Sequence, residues 1–267
     1  MNDRVLIFTD WYYPGYNAGG PVTSLYALTG HLQKDFEFYV ITRNTDYCET
    51  KPYDNVPGSK WVRMNENTQV YYFDAKDLNR RNMKEAISDI HFHTWYINGI
   101  YSWYFSILPL LLYSKKHRGR IIISPRGMLS EHALQVKPVR KKAFLFLAKQ
   151  FNLYRSCIFH ATFPGEENDI RRIFPANRVI TIPNFPRIMN SPVHQSDKKS
   201  GTLKLFSLAR IAPEKNTLGA LQFLNELGRY LKSRKDYLVQ FHLFGRSYNP
   251  SYLKECKELA EKMPPEI

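Results

Sequence analysis

The chain has 267 residues, enough for one large or two ordinary domains, and its 43% hydrophobic content supports sizeable cores. Its three cysteines (Cys48, Cys157 and Cys256) are odd in number and widely spaced, which excludes a disulfide framework and a cysteine metal cluster and points to a reducing compartment. The net charge of +14 is uneven: residues 1–100 carry 10 Lys+Arg against 12 Asp+Glu, residues 101–200 carry 17 against 5, and residues 201–267 carry 11 against 7. A basic middle implies an anionic partner, whether lipid head groups, nucleotide phosphates or nucleic acid.

The sequence opens, without a visible signal peptide, on the apolar run Arg4–Thr9, which reads as a buried parallel strand. Asp10-Trp-Tyr-Tyr-Pro-Gly-Tyr-Asn-Ala-Gly-Gly-Pro21 follows. Pro14-Gly15 is a turn signal, Gly19-Gly20 lets backbone approach a ligand closely, and Pro21 suits the first turn of a helix running on to Leu32. Strand, glycine loop and helix together point N–H groups at a phosphate or sugar, although the spacing is not that of a dinucleotide site. Phe36–Thr42 reads as a second strand, 44–69 as a long surface loop, Val70–Phe73 as a short strand and Leu78–Ile87 as a short helix.

Asp89–Trp95 reads as a strand whose alternation places His91 and His93 on one face. Two such histidines can bind a metal, but no cysteine or carboxylate pattern completes a site, and one core histidine with one at the strand's end is the plain reading. Ile97–Tyr113 is apolar and aromatic yet interrupted, so it reads as a buried or interfacial helix rather than a membrane span. The strand Arg120–Ser124 leads into Ser124-Pro-Arg-Gly-Met-Leu129, a strand-end loop with Arg126 either available for an anion or serving as a structural Arg that ties two loops. Lys137–Tyr154 reads as a basic amphipathic helix that either lies on anionic lipid or packs on the sheet with a solvated outer face. Cys157–Thr162 is a strand, Pro164–Ile170 starts a helix with acids in its first turn, and Val179–Pro186 ends the first domain.

After a polar linker, Leu203–Leu208 reads as a strand and Arg210-Ile-Ala-Pro-Glu-Lys-Asn216 as the loop before a leucine-rich helix. Arg210 and Lys215 can close on one diphosphate, as a planar fork and a mobile point charge; basic loop residues are as often simply solvated. Tyr237–Phe244 is a further strand and Ser251–Lys262 a further helix.

Arg210–Asn216, Ser124–Leu129, Gly19-Gly20 and Ile182-Pro-Asn184 together resemble the retaining glycosyltransferases of family four, which have the GT-B fold. The resemblance implies an α/β protein with a Rossmann-like domain over 1–187, a linker over 188–201 and a partial nucleotide-sugar-binding domain over 202–267. It implies that Arg210 and Lys215 neutralise the donor diphosphate beside Gly19 and Gly20, that His93 is the catalytic residue at the sugar, and that Arg126 lies on the acceptor side. No cofactor or metal is expected, and the partners that the resemblance implies are a nucleotide-sugar and a glycan or lipid-linked acceptor; the basic stretch over Lys137–Tyr154 separately suggests an anionic membrane surface. Surface polysaccharide synthesis is the setting that the resemblance implies, whereas the cytoplasmic place is suggested by the cysteine usage and the inner face of the membrane by the basic stretch.

The family's paired glutamates do not follow Lys215, and residues 201–267 hold only about two βα units. An inactive chain that retains acceptor or membrane binding is therefore the alternative, and residues 201–267 are expected to be weakly stable or to associate with another chain. Without a helix-turn-helix, zinc-finger or RNA-recognition signature, nucleic acid is not expected as a partner.

Overall fold

The computed structural model describes residues 2–113, 119–187, 199–231 and 237–264. The chain divides into two compact units, Met1–Asn190 and Ser191–Ile267.

The first unit is built on β1 (Asp3–Thr9), α1 (Gly20–Leu32), β2 (Phe36–Arg43), β3 (Trp61–Asn65), β4 (Thr68–Phe73), α2 (Arg80–Ile87) and β5 (Thr94–Asn98). It continues through α3 (Leu108–Leu112), β6 (Arg120–Ser124), α4 (Glu131–Gln135), α5 (Pro138–Gln150), β7 (Cys157–Ala161), α6 (Pro164–Ile173) and β8 (Val179–Thr181). Its eight strands lie in the order β3-β4-β2-β1-β5-β6-β7-β8, and every pair is parallel except β3 with β4.

The chain first moves outward from β1 to one side, returns beside it as β5, and then continues to the other side. Right-handed crossovers must change sheet face when the direction of travel reverses. Leu25 of α1 accordingly packs with Ile7, Val40 and Val70 on one face. Met83 of α2, Leu108 of α3, Leu145 of α5 and Ile170 of α6 pack with Leu6, Phe8, Ile97 and Ile123 on the other. Both faces are covered, which is why β1 reads as an unbroken apolar run.

Three expectations change. Residues 44–69 are not all loop, because β3 adds an antiparallel edge strand within them. The strand expected over Asp89–Trp95 lies later, at Thr94–Asn98, and the residues before it form no regular element. The helix expected from Ile97 is instead the end of β5, a π turn over Trp103–Ile107 and the short α3. The linker expected over 188–201 lies mostly outside the described residues.

The second unit has β9 (Thr202–Leu208), α7 (Thr217–Leu231), β10 (Leu238–Phe244) and α8 (Pro250–Ala260). The two strands are parallel, and Leu224, Leu231 and Val239 form its small core. On the other face of this sheet Phe206, Leu208 and Phe244 are more than half exposed, at 63%, 82% and 52%. Among the described residues, no helix of either unit is long and apolar enough to cross a membrane.

Candidate functional site

Open α/β sheets bind ligands outside the carboxyl ends of their strands, where the strand order reverses. In the first unit that point lies between β1 and β5. The side chains there are polar and tied to one another. Asn98 ends β5, is buried, and donates through Nδ2 to Thr9 Oγ1 at 3.2 Å. Asp10 follows β1, and its Oδ1 accepts from Arg43 Nε at 3.1 Å, from Arg43 Nη2 at 2.8 Å and from Ser102 Oγ at 2.9 Å. The Arg43 guanidinium also lies over the Phe105 ring, 5.0 Å from its centroid.

The Gly19-Gly20 loop leads from this edge into α1. Gly19 has φ 74° and ψ −129°, a conformation that only glycine adopts at low cost, and a Cβ there meets no atom within 4 Å. Gly20 is equally open. No side chain caps α1, and Pro21 stands in its first turn, so this end presents uncapped backbone N–H groups and the positive end of the helix dipole. Asp46 shapes the loop from below, its Oδ2 accepting from Tyr16 N at 3.0 Å and Asn17 N at 3.1 Å.

Arg126 stands past the end of β6 with φ 57°. Its Nε donates to Asn98 Oδ1 at 2.6 Å, its Nη1 to Asn184 Oδ1 at 2.5 Å and its Nη2 to Tyr96 Oη at 3.2 Å. These bonds use three of the five guanidinium N–H groups. Beyond them the network is directional: His160 Nε2 lies 2.9 Å from the Ile182 carbonyl, which can only accept, so Nε2 carries the proton. Nδ1 then accepts from Tyr96 Oη at 2.8 Å. Burial lowers the His160 pKa, opposed by the bond to Ile182 and reinforced by the nearby Arg126 charge. Burial likewise raises the Tyr96 pKa.

Glu166 holds the Arg126 loop from the other side. It is 1% exposed. Its Oε1 accepts from Gly127 N at 2.6 Å, and its Oε2 accepts from both N and Oγ1 of Thr162 at 2.7 Å. Asp10, Arg43, Asn98, Tyr96, His160 and Glu166 were not singled out from the sequence as site residues, yet they form the site's framework.

The structure therefore brings Gly19, Gly20 and Arg126 to one edge of the sheet. His93 lies at the opposite edge, which corrects its expected place beside the sugar. Its backbone N donates to the Arg4 carbonyl at the start of β1, and its Nδ1 accepts from Arg4 N at 3.0 Å. Strand β5 separates it from Asn98, and five residues of strand span roughly 16 Å.

In the second unit, Arg210 and Lys215 lie in the loop from β9 to α7, past the carboxyl ends of both strands. Ile211 N donates to the Arg246 carbonyl at 3.0 Å, so a third cationic residue joins this edge. Gly245 makes the join possible: a Cβ there would sit 1.9 Å from the Ala209 carbonyl oxygen. Lys215 is exposed, whereas Arg210 pairs with Glu214 at 3.4 Å.

No protein-family model matches the sequence, and no curated protein matches it. Solved structures are similar in fold. The α,α-trehalose-phosphate synthase (UDP-forming) of Burkholderia vietnamiensis superposes with a TM-score of 0.57 at 10% identity, over 98% of this chain and 68% of that one. An apo structure of OtsA gives 0.55 at 10% identity, over 98% and 70%. A putative UDP-N-acetylglucosamine 2-epimerase of Listeria monocytogenes gives 0.51 at 12% identity, over 98% and 67%. These likenesses define a GT-B-like α/β fold, with a Rossmann-like first unit and a smaller second unit of the same kind.

Proposed function

We propose that the chain is a glycosyltransferase that moves a sugar from a nucleotide-sugar donor to a glycan or lipid-linked acceptor. The observation that carries this reading is the edge of the first sheet. There the uncapped end of α1 at Gly19-Gly20 and the anchored Arg126 flank the point where the strand order reverses. Two of the structures similar in fold are named for UDP or a UDP-sugar, which agrees with a nucleotide diphosphate as ligand.

On this reading Arg210 and Lys215 stabilise the charge that develops on the departing diphosphate, an electrostatic role that needs no proton transfer. Gly19 and Gly20 admit phosphate to the backbone N–H groups, and Arg126 orients the acceptor side. His93 takes no part. Retention of anomeric configuration, a hexose donor and a setting in surface polysaccharide synthesis rest on the family resemblance, and a place at the inner face of the membrane rests on the basic stretch of the sequence.

Calorimetric binding of UDP and GDP to the 267-residue chain, with Lys215→Ala as control, tests the proposal. The expected result is binding of one nucleotide, weakened about tenfold or more by the substitution, equivalent to ~1.4 kcal/mol. Binding of neither nucleotide would overturn it.

A further inference from the structure

We propose that the outward face of α5, from Val139 to Phe151, is a docking surface for an anionic phospholipid bilayer. The helix turns Leu145 and Ala148 into the core, with Phe144 partly buried beside them. At 100° per residue, the side opposite these positions is occupied by Val139, Ala143, Phe146 and Leu147, with Gln150 the one polar residue among them. A helix whose outer side faced only water would be polar there. Instead Val139 is 79% exposed, Phe146 61% and Leu147 51%, and Phe151, just past the helix end, is 79% exposed.

Cations border this stripe. Lys142 and Lys149 fall along one flank and Arg140 along the other, all exposed. Lys141 does not contribute to the border. It turns inward, where its Nζ donates to the Ala133 carbonyl at 2.6 Å and lies 5.3 Å from the Tyr101 ring centroid. The helix itself carries no acid. Across residues 90–165 there are 11 Lys+Arg and a single acid, Glu131, which is paired with Arg172.

These observations select among occupants. A second copy of this chain would bring the same positive charge against the first. A polynucleotide would match the cations but leave Val139 and Leu147 in water. An anionic bilayer satisfies both halves of the pattern: acyl chains receive the apolar stripe while lipid phosphates meet the flanking Lys and Arg. The helix is an in-plane contact, because 13 residues rise only about 20 Å and are bordered by charge along their length. This inference is independent of glycosyl transfer.

The experiment is co-sedimentation of the full chain with phosphatidylglycerol–phosphatidylcholine vesicles, and with phosphatidylcholine vesicles alone, at low and high salt. Binding is expected only to the anionic vesicles and is expected to fall as salt rises. The double variants Val139→Asp/Phe146→Asp and Lys142→Glu/Lys149→Glu should each weaken binding about tenfold or more. Their side chains point away from the core, and circular dichroism checks that they fold. Hydrogen exchange supplies a reading on the unaltered chain: amides of α5 should gain protection when anionic vesicles are added. Equal binding by the variants, unchanged exchange in α5, or failure to bind anionic vesicles at low salt would overturn the proposal. So would concentration-dependent dimerisation that Phe146→Asp abolishes, which would assign the face to a second copy. A chain that binds vesicles but neither nucleotide would overturn the catalytic reading and leave this one standing.

Discussion

Replacing Glu166 by Gln tests whether the Arg126 loop is held by a buried carboxylate. The carboxylate receives three bonds and no water, being 1% exposed. With the amide oxygen in the Oε2 place, both Thr162 bonds survive as neutral ones, but an NH2 group then faces Gly127 N, donor against donor. One charge-assisted bond is lost, at about 1.5–3 kcal/mol, and two are weakened by about 0.5–1 kcal/mol each. The summed cost is about 2.5–5 kcal/mol. For a unit of this size that lowers the unfolding temperature by roughly 5–20 °C. Thermal unfolding followed by circular dichroism, with urea unfolding beside it, gives both numbers. The Arg126 bonds to Asn98 and Asn184 depend on the same loop, so nucleotide-independent acceptor binding should fall as well. A stability loss below about 0.5 kcal/mol would refute the reasoning, because it would mean that water reaches Glu166 or that the loop does not need it.

Gly19 and Gly20 separate conformation from contact. Gly19→Ala should cost about 1–3 kcal/mol in urea unfolding, because its φ of 74° and ψ of −129° strain any side chain. Gly20→Ala should leave stability within about 0.5 kcal/mol while weakening UDP or GDP binding, since its Cβ meets only open space where the ligand is proposed to lie. His160 should make stability depend on pH. Its folded pKa is lowered, so the unfolded chain binds the proton first on acidification. The stabilisation is complete above the unfolded pKa, near 6.5, and is lost as the pH falls through that value toward the folded pKa, with a slope of at most about 1.4 kcal/mol per pH unit. Urea unfolding between neutral and mildly acid pH should show this slope, and His160→Gln should remove it.

The elements legible in the sequence are those whose environment is uniform along their length. Strands β1, β2 and β6 are covered on both faces, so an apolar run is their signature. Strand β3 was hidden because it is an antiparallel edge strand, with intermediate and exposed positions in Trp61–Asn65 that resemble loop. Strand β5 was misplaced because His91-Phe92-His93 imitates strand alternation, whereas pairing with β1 begins at Val5 with Thr94. Reading Asp89–Trp95 as strand sets His93 near a strand's carboxyl end, and reading Ile97–Tyr113 as helix leaves Asn98 within it rather than at a strand's end. The signal was available: Asn98-Gly99 is a turn dipeptide, and Gly99 has φ 106°.

Asp10 with Arg43, and Arg126 with Asn184, could not be read from spacing, because 33 and 58 residues separate the partners and only the sheet order brings them together. Glu166 was legible as an acid but not in its role. The helix dipole favours any acid in a first turn, and burial against Gly127 and Thr162 is what turns this one into a clamp. Helix α5 shows the converse. Lysines interleaved with apolar residues read as an amphipathic pattern, but that pattern presumes one apolar side. The fold fixes which side faces the core, and only then do Val139, Phe146 and Phe151 stand out as a second apolar surface that the core does not use.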